Sequence, residues 1–348
     1  MSFGPRRGAG GSRRRYGGDM EKIRWGVLAP GRIARNFALD LGLVPDAELV
    51  ATGSRSRERA AGFAAEFGGA AHGSYEDLVG DPNVDVVYVA SPHTLHVEQT
   101  LMALDAGKAV LCEKPMTLDA ASTESLFQAA EDRGLFLMEA MWMACHPGIR
   151  KLRTLLADGD HGSARQVHAS IGFVVDADPT DRLLDPALGG GALLDMGVYP
   201  LTFTQLVLGE PEQLTAVADF SETGIDLDIS IAGRYPGGAT AALTATLTSH
   251  APVMATVATE IGRFDLPRPF YAPGPIQWTS YETPEGASEW IEPDEPVVGR
   301  GYGNEILEVH RCLRDGALTS ELVPPQQTIS LMRQMDDLRA QIGLHYPG

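Results

Sequence analysis

Short apolar runs alternate with amphipathic segments through the first 140 residues. Each run is four to seven residues long, and apolar residues at three- and four-residue spacing follow most of them, as on one face of a helix. Nearly continuous apolar strands separated by helices are typical of a parallel sheet covered on both faces. The pattern predicts strands at residues 23–29, 48–52, 84–90, 109–112 and 135–138.

The helices between these runs have recognisable ends. Ser56 is the predicted N-cap of a helix that ends at Gly68-Gly69, and Gly107 and Gly134 end two later helices. We therefore predict a doubly wound α/β unit, which binds ligands at the carboxyl ends of its strands. The two later helices are expected at 94–106 and 119–133.

The pattern changes after about residue 150, where apolar and polar residues alternate along longer runs. In one run Ala241, Leu243 and Ala245 alternate with threonines, and the segment 236–238 before it, Pro-Gly-Gly, supplies a hairpin turn. This alternation predicts a second, α+β domain with a large, mostly antiparallel sheet that has one solvated face. Its predicted elements are strands at 166–175, 214–220, 226–235 and 239–248, a loop at 263–303 rich in proline and glycine, and a final helix at 325–342.

Composition divides the chain into three parts. Residues 1–20 hold five arginines among glycines and almost nothing apolar, which predicts a disordered extension. The remaining length suits two domains of ordinary size. We place them at residues 21–141 and 142–348.

Charge, hydropathy and cysteine content narrow the classes of partner. A formal charge of -18 at pH 7 has the wrong sign for neutralising nucleic-acid phosphates. No uncharged apolar run approaches the ~18 residues that a membrane helix needs. Three cysteines, Cys112, Cys145 and Cys312, cannot all pair and lack the spacing of a metal or redox motif. These features favour a cytoplasmic protein that binds neither nucleic acid nor membrane.

The turn between the first predicted strand and helix suits a dinucleotide phosphate. Gly31 permits a close backbone approach, and the N–H groups at Gly31, Arg32 and Ile33 begin a helix that would face the anion. Ala29 stands where the strict fingerprint has its first glycine. Taken alone, the motif fits an ordinary strand-to-helix turn equally well.

The residues after the second strand favour NADP over NAD. NAD sites usually carry an acid here for the ribose 2′-hydroxyl, but residues 53–57 contain none. Arg55 is a forked donor suited to a 2′-phosphate, with Ser54 or Ser56 as further donors. The alternative is that Ser56 only caps its helix and Arg55 lies in solvent.

Two pairs of residues are candidates for the chemistry. Glu113 and Lys114 end a buried strand at the ligand-binding edge, where an ammonium can hold a ribose or lower the pKa of a neighbouring acid. The alternative is a solvated lysine paired with Glu113.

Asp195 and Tyr199 share one face if their segment is helical, although Pro200 makes a kink or a fresh helix start equally compatible. Spacing alone favours a packed tyrosine and a capping aspartate.

Ser91, Pro92 and two histidines follow the run at 84–90, again at the carboxyl edge. A metal site that joins His93 or His96 to a neighbouring carboxylate has no ligand spacing to support it. We therefore predict no metal and expect both histidines at the entry to a helix.

Five segments form a recognisable set: residues 25–34, 91–96, 107–115, 133–142 and 189–199. The third reads GKAVLCEKP and is highly characteristic. Together they resemble the Gfo/Idh/MocA family of oxidoreductases, and the last two resemble its branch with dimeric dihydrodiol dehydrogenase and NADP-dependent D-xylose dehydrogenase.

The resemblance implies a Rossmann domain at 21–141 and a substrate and dimerisation domain at 142–348. In the family pattern, Lys114 touches the nicotinamide ribose and tunes Tyr199, which is the acid/base. Asp195 orients the substrate, and Trp142 lines its pocket. The cofactor-binding residues implied are Gly31, Arg32, Ile33, Ser54, Arg55, Ser91, Pro92, His96, Glu113 and Lys114.

The implied activity is hydride transfer between NADP and a secondary alcohol or carbonyl of a sugar, polyol or vicinal diol, in a homodimer. Because a phenol has a pKa of about 10, we expect the Lys114 charge to favour the phenolate of Tyr199.

Two alternative functions remain: an NAD-retaining glycoside hydrolase of the same fold, and a non-catalytic NADPH-binding regulator. Arg55 counts against the first, and the joint presence of Lys114, Asp195 and Tyr199 counts against the second.

Overall fold

The chain folds around two β-sheets of six and eight strands. The computed structural model describes residues 21–178, 181–282 and 286–346. The disordered extension expected at residues 1–20 lies outside the described residues.

The first sheet has six parallel strands: β1 (Ile23–Leu28), β2 (Ala47–Gly53), β3 (Ala70–His72), β4 (Val86–Val89), β5 (Ala109–Glu113) and β6 (Leu137–Ala140). Their order is β3-β2-β1-β4-β5-β6. The predicted doubly wound parallel sheet is confirmed, and its topological reversal between β1 and β4 opens a crevice at the carboxyl ends. The pattern did not indicate β3, because a three-residue edge strand shows too little periodicity.

Five helices connect these strands: α1 (Arg32–Leu41), α2 (Arg57–Phe67), α3 (Tyr75–Val79), α4 (His96–Asp105) and α5 (Ala120–Arg133). The predicted N-cap of α2 is confirmed, since the Ser56 hydroxyl accepts a hydrogen bond from the Arg59 N–H at 3.3 Å. Gly134 ends α5 in the left-handed conformation, with φ of 62°, as the glycine signal indicated.

Successive side chains of the first sheet pack on its two opposite faces. Trp25 and Tyr88 face α1, where the Phe37 ring stacks on Tyr88 with 3.9 Å between centroids. Val87 and Val110 point the other way and belong to a separate buried cluster that includes residues of α4 and α5. Burial on both faces explains why these strands are apolar almost throughout.

The second sheet has eight strands: β7 (Ala164–Gly172), β8 (Gln213–Phe220), β9 (Asp226–Arg234), β10 (Thr240–Thr246), β11 (Ala255–Thr259), β12 (Gly262–Leu266), β13 (Ile276–Ser280) and β14 (Ala287–Ile291). Their order is β14-β13-β12-β11-β7-β10-β9-β8, and every neighbouring pair is antiparallel except β7 with β10. The mostly antiparallel sheet is therefore confirmed, and its wet face exposes Thr240, Ala242 and Thr244.

The loop expected at residues 263–303 was wrong. Most of β12 and all of β13 and β14 fall inside it, and α9 (Tyr302–Asp315) begins at its end. These strands are only five residues long, and the prolines and glycines lie mainly in the connections between them. Their hydrogen bonds come from neighbouring strands, which a local pattern does not reveal.

The remaining helices are α6 (Trp142–Cys145), α7 (Pro147–Asp158), α8 (Val198–Leu208) and α10 (Pro325–Ile342). The final helix has the predicted bounds, whereas α6, α7 and α9 were not predicted. α10 packs on α5 and α9 packs on α1. The end of the chain therefore returns to cover the first sheet as well as the second.

A π-helical turn at Leu193–Gly197 runs directly into α8. Pro200 has no N–H, so it cannot supply the donor that the Asp195 carbonyl would receive from five residues ahead in a π-helix. Within the described residues, Pro186–Leu208 is the single helical stretch long and apolar enough to span a membrane. Its most apolar 18-residue segment is 78% buried inside the protein. We assign it to the core of the second domain.

Candidate active site

A cleft of about 810 Å³ runs along the carboxyl ends of β1, β2, β4 and β5. Residues 173–177 and 181–183 form its opposite wall. His96 and Trp142 are buried behind the lining, with 0% and 6% of their surface exposed. The predicted site residues that line the cleft are Gly31, Arg32, Ile33, Ser54, Arg55, Ser91, Pro92, Glu113, Lys114, Asp195 and Tyr199.

The turn before α1 has the backbone of a phosphate-binding turn. Ala29 takes the left-handed φ of 67°, the conformation that favours glycine, at a cost of about 1–2 kcal/mol. Gly31 precedes α1 without a side-chain cap, no acid lies in the first helical turn, and a Cβ at Gly31 would meet no atom nearer than 4.0 Å. The helix therefore presents unbonded N–H groups and its positive dipole end to the cleft.

The cleft ends at the carboxyl end of β2 in a basic region. Ser54 is buried and its hydroxyl accepts the Ser56 N–H at 3.2 Å, while Arg55 is exposed toward the cleft. Arg59, in the first turn of α2, lines the same region. Two guanidinium groups and serine hydroxyls suit a phosphate ester.

Two residues after β4 differ in their position. Ser91 faces the cleft, whereas His96 is buried behind it. The Ser91 hydroxyl is buried, lines the cleft and has no hydrogen-bond partner, which leaves a donor available to a ligand. His96 has one ring nitrogen 2.9 Å from the Ser91 carbonyl and the other 3.0 Å from the Pro115 carbonyl. It therefore lies between the loops after β4 and β5, and the direct cofactor contact implied for it stays a prediction.

Lys114 joins the first domain to the helix of the second. Its ammonium donates to the Asp195 carbonyl at 2.8 Å and lies 3.4 Å from the carboxylate Oδ1. In π-helical geometry the Asp195 carbonyl would face the backbone nitrogen of Pro200, which carries no hydrogen. The lysine ammonium therefore has no competing donor from Pro200. Lys114 is thus fixed at the boundary between the domains.

Asp195 is an ionised carboxylate shared by two cations. Arg182 Nη1 donates to its Oδ1 at 3.0 Å, the same oxygen that faces Lys114. Burial alone would raise the pKa of Asp195, but the charges of Lys114 and Arg182 outweigh burial and hold that pKa well below its usual range. The predicted capping role is replaced by that of a charge partner.

His93 approaches Asp195 without pairing with it. Its Nε2 lies 3.8 Å from the Asp195 Oδ1, and its Nδ1 donates to the Gly189 carbonyl at 3.1 Å. Burial lowers the pKa of His93 to about 3, so the ring is neutral. In the described ranges no cluster of three or more histidine, cysteine, aspartate or glutamate residues has metal-site geometry.

Tyr199 lies beside Lys114, as the sequence predicted. The ammonium is 4.9 Å from the centre of the phenol ring. The expected effect on ionisation was wrong, however, because burial, together with the neighbouring Tyr302 and Glu113, raises the pKa of Tyr199 well above 10. The phenol is therefore protonated in this state.

Trp142 supports Tyr199 from behind. The indole Nε1 donates a hydrogen bond to the Tyr199 hydroxyl oxygen at 3.0 Å. Its ring packs at 4.9 Å from Tyr302 and 5.6 Å from Tyr271, so the phenol is backed by three aromatic rings. Direct substrate contact by Trp142, implied by the resemblance, stays a prediction.

Glu113 shapes the end of β5. One carboxylate oxygen accepts the Tyr88 hydroxyl, and the other accepts the Lys114 N–H at 3.1 Å. Burial raises the pKa of Glu113, with the Lys114 charge acting against it. The residue lines the cleft and fixes the backbone from which Lys114 extends.

Sequence reasoning missed Arg59 and Arg182. Arg59 lies in the first turn of the helix that Ser56 caps, directly after the predicted phosphate site, and this position could have indicated it. Arg182 follows a stretch without periodicity, and only the folded chain brings it to Asp195.

Two family models match the chain. The first, GFO/IDH/MocA, is described as an oxidoreductase family with an NAD-binding Rossmann fold and matches residues 23–141. The second, the GFO/IDH/MocA C-terminal domain, matches residues 149–264. The first match covers the six-stranded sheet, and the second covers β7 to β11 and the start of β12.

Several named proteins are similar to the chain over most of its length. Trans-1,2-dihydrobenzene-1,2-diol dehydrogenases are 35% identical in Mus musculus and 34% in Homo sapiens, each over 93% of this chain and 98% of theirs. KijD10, a 3-ketoreductase from Actinomadura kijaniata solved with NADP and TDP-benzene, is 28% identical with a TM-score of 0.81, over 92% of this chain and 98% of its own. An aldose-aldose oxidoreductase from Caulobacter crescentus shares the fold, with a TM-score of 0.83 at 23% identity and coverage of 92% and 97%.

Proposed function

Because the chain belongs to the GFO/IDH/MocA family of oxidoreductases, we propose that it transfers hydride between NADP and a secondary alcohol or carbonyl of a sugar, polyol or vicinal diol. Membership also confirms the resemblance drawn from the five sequence segments. The observation that carries the proposal is the meeting of Lys114, Asp195 and Tyr199 in the cleft beside the phosphate-binding turn.

The described residues fit a dinucleotide with a 2′-phosphate. The uncapped start of α1 at Gly31 would bind the pyrophosphate, and Arg55 with Arg59 and Ser54 would bind the 2′-phosphate. The unpartnered hydroxyl of Ser91 and the ammonium of Lys114 lie toward the other end of the cleft, where the nicotinamide ribose would reach. When bound, the nicotinamide supplies the hydride acceptor or donor.

The protein's own part in the reaction is proton transfer at the substrate oxygen. In reduction the protonated Tyr199 hydroxyl donates its proton to the carbonyl oxygen that becomes an alcohol. In oxidation the ionised oxygen accepts the hydroxyl proton. The high pKa of Tyr199 keeps its hydroxyl in the acid form, which is the form that reduction needs.

Substrate and cofactor preference can be tested together on the purified full chain. Aldoses, inositols and trans-dihydrodiols are each incubated with NADP or NAD, and turnover is followed by nicotinamide absorbance. We expect NADP to be preferred, and Arg55→Ala to lower kcat/KM for NADP by about 10- to 100-fold, the value of a charge-assisted hydrogen bond, with little change for NAD.

Arg35→Ala is the matched control, since this arginine lies on α1 outside the cleft and pairs with Glu66. A preference for NAD would overturn the cofactor assignment. Cofactor that copurifies and never exchanges would favour the hydrolase alternative over a dehydrogenase.

We also propose a cytoplasmic homodimer that pairs through the wet face of the second sheet. The exposed positions Thr240, Ala242 and Thr244 are uncharged, and Ala242 and Thr244 lie opposite the uncharged Ala232 and Ser230 of β9. Arg234, opposite Thr240, is paired with Glu212. Two copies of a chain with formal charge -18 can meet on this face without like-charge repulsion. Light scattering should give twice the chain mass, and Ala242→Arg should yield monomer. A monomeric wild type would refute the dimer.

A further inference from the structure

The hydrogen bond from Trp142 to Tyr199 has only one possible polarity. An indole nitrogen carries a donor and no acceptor, so the phenol oxygen must accept. The hydroxyl proton of Tyr199 is therefore directed away from Trp142. The indole is thus a fixed donor behind the atom that exchanges a proton with substrate.

The environment of the phenol oxygen otherwise disfavours its anion. Burial raises the pKa of Tyr199, and the nearby Tyr302, Glu113 and Asp195 act in the same direction, whereas the bond from Trp142 acts against them. Lys114 directs its ammonium to the Asp195 carbonyl and carboxylate. In the described part of the chain, Trp142 is the side chain that donates to this oxygen.

The indole is held so that its N–H direction does not change. Tyr302 packs against it at 4.9 Å, and Tyr271 meets it edge-on at 5.6 Å with an interplanar angle of 76°. Gly301, with φ of 113°, lies so close that a Cβ there would stand 3.0 Å from the indole ring. The start of α9 thus packs directly against the indole and restricts its movement.

Resting on the proposed function, we propose that Trp142 is a positioning residue for proton transfer, whose indole N–H stabilises the anionic form of Tyr199 and directs its proton into the cleft. In reduction, the O–H bond of Tyr199 breaks, the substrate oxygen gains the proton, and the phenolate remains bonded to the indole. In oxidation the same bond re-forms with the proton of the substrate hydroxyl. Hydrogen bonds to an ionised acceptor are the stronger ones, so the indole lowers the free energy of the anion more than that of the phenol.

The test compares the two directions of reaction in Trp142→Phe. Loss of one donor to a charged acceptor should raise the pKa of Tyr199 by about one to two pH units. Oxidation needs the phenolate, so at a pH below this pKa its kcat should fall about 10- to 100-fold and its rising pH limb should move upward by the same one to two units. Reduction leaves the same phenolate bonded to the indole, so its kcat/KM at the same pH should fall by a similar factor, because a mutation cannot change the equilibrium of the overall reaction.

A second variant guards against a damaged fold. Incorporation of 3-benzothienylalanine at position 142 keeps the fused rings and replaces the N–H with sulfur, and it should give the same upward shift of the oxidation limb. Trp278→Phe is the matched control, because Trp278 is also 6% exposed but lies on β13 away from the cleft. It should leave both pH profiles as in the wild type.

The outcomes separate this inference from the proposed function. A wild type that turns over no diol or sugar with either cofactor overturns the proposed function, and the catalytic role of Trp142 with it. An active wild type whose oxidation profile coincides with those of both position-142 variants overturns the inference alone. A loss of rate in the sulfur isostere without a shift of the rising oxidation limb also overturns it, since that would show a role in packing only.

Discussion

Tyr199 combines two properties that rarely coincide in a structural tyrosine: its oxygen reaches the cleft, and its ring touches an ammonium. The ring centre is 4.9 Å from Lys114, and the hydroxyl oxygen accepts a hydrogen bond from a buried indole. A tyrosine used only for packing would need neither contact. The arrangement is that of a group whose protonation state matters.

Tyr199→Phe should therefore remove turnover and keep the fold. Loss of a general acid/base costs roughly 100- to 10,000-fold in kcat, while NADPH binding should be unchanged because the phenyl ring still fills the site. Fluorescence titration with NADPH and steady-state kinetics measure the two effects. Tyr281→Phe, at a residue 56% exposed, is the control. Turnover equal to the wild type would remove Tyr199 from the mechanism.

Single residues were predictable where their chemistry is local or their motif is specific. Lys114 ends a strand whose place in the sheet follows from its apolar run, and Tyr199 sits in a distinctive segment, so their meeting could be expected. The balance of charge around them could not. Arg182 reaches Asp195 from a stretch without any pattern, and it helps to keep that carboxylate ionised beside the lysine that was expected to ionise Tyr199.

At the scale of elements, α9 begins without a cap of its own. Gly301 offers no side chain, and the two N–H groups of Arg300 and Tyr302 bind instead to Asp40 of α1, at 2.7 Å and 3.0 Å. Asp40 is 2% exposed. A carboxylate at a helix N-terminus satisfies open donors and complements the helix dipole. Helix α1 thus fixes the start of α9, and α9 packs against Trp142 through Tyr302.

Asp40→Ala should destabilise the protein by about 2 kcal/mol, because it removes a cap and leaves the buried N–H of Tyr302 and the partly buried N–H of Arg300 without an acceptor. Asp40→Asn, which keeps one acceptor oxygen, should cost less. Urea unfolding gives both values. Asp105→Ala breaks an ion pair whose aspartate is 63% exposed and should cost less than about 1 kcal/mol. Equal losses in Asp40→Ala and Asp105→Ala would contradict the capping role.

The same long-range contact explains which elements could be predicted from the sequence. α5 and α10 carry an apolar stripe with local start or stop signals, and both were found. The start of α9 depends on a carboxylate 260 residues away, and β13 and β14 depend on pairing with neighbours in the sheet. A local window contains none of this information, so those elements were missed.

Over the whole molecule, buried carboxyl groups join the distant parts of the chain. Glu139, on β6 and 1% exposed, accepts hydrogen bonds from the Met116 N–H and from the Thr328 hydroxyl of α10, each at 3.0 Å. Burial raises the pKa of Glu139 to about 7. The group that ties the final helix to the first sheet therefore titrates near neutrality.

This pKa sets a pH dependence of stability. The folded chain holds the proton of Glu139 up to about pH 7, whereas the unfolded chain, with a pKa near 4.5, has lost it. The contribution of Glu139 to the free energy of unfolding is thus fully present below about pH 4.5 and falls by about 3 kcal/mol as pH rises to 7.

Glu139→Gln, which mimics the protonated group, should remove that part of the slope in urea unfolding between pH 4.5 and 7. Glu131→Gln removes the same formal charge from an exposed position of α5 and controls for net charge. A wild type and Glu139→Gln with parallel stability curves across this range would contradict the assignment.

Pro200, which offers no N–H in the first turn of α8, has an evolutionary consequence. As long as position 200 lacks an N–H, the Asp195 carbonyl is available to the Lys114 ammonium at 2.8 Å. A descendant that exchanged this proline for another residue would give the carbonyl a rival donor and loosen the lysine, and one that lost the lysine would leave the carbonyl without its partner. The two positions, 86 residues apart, should therefore be inherited as a pair.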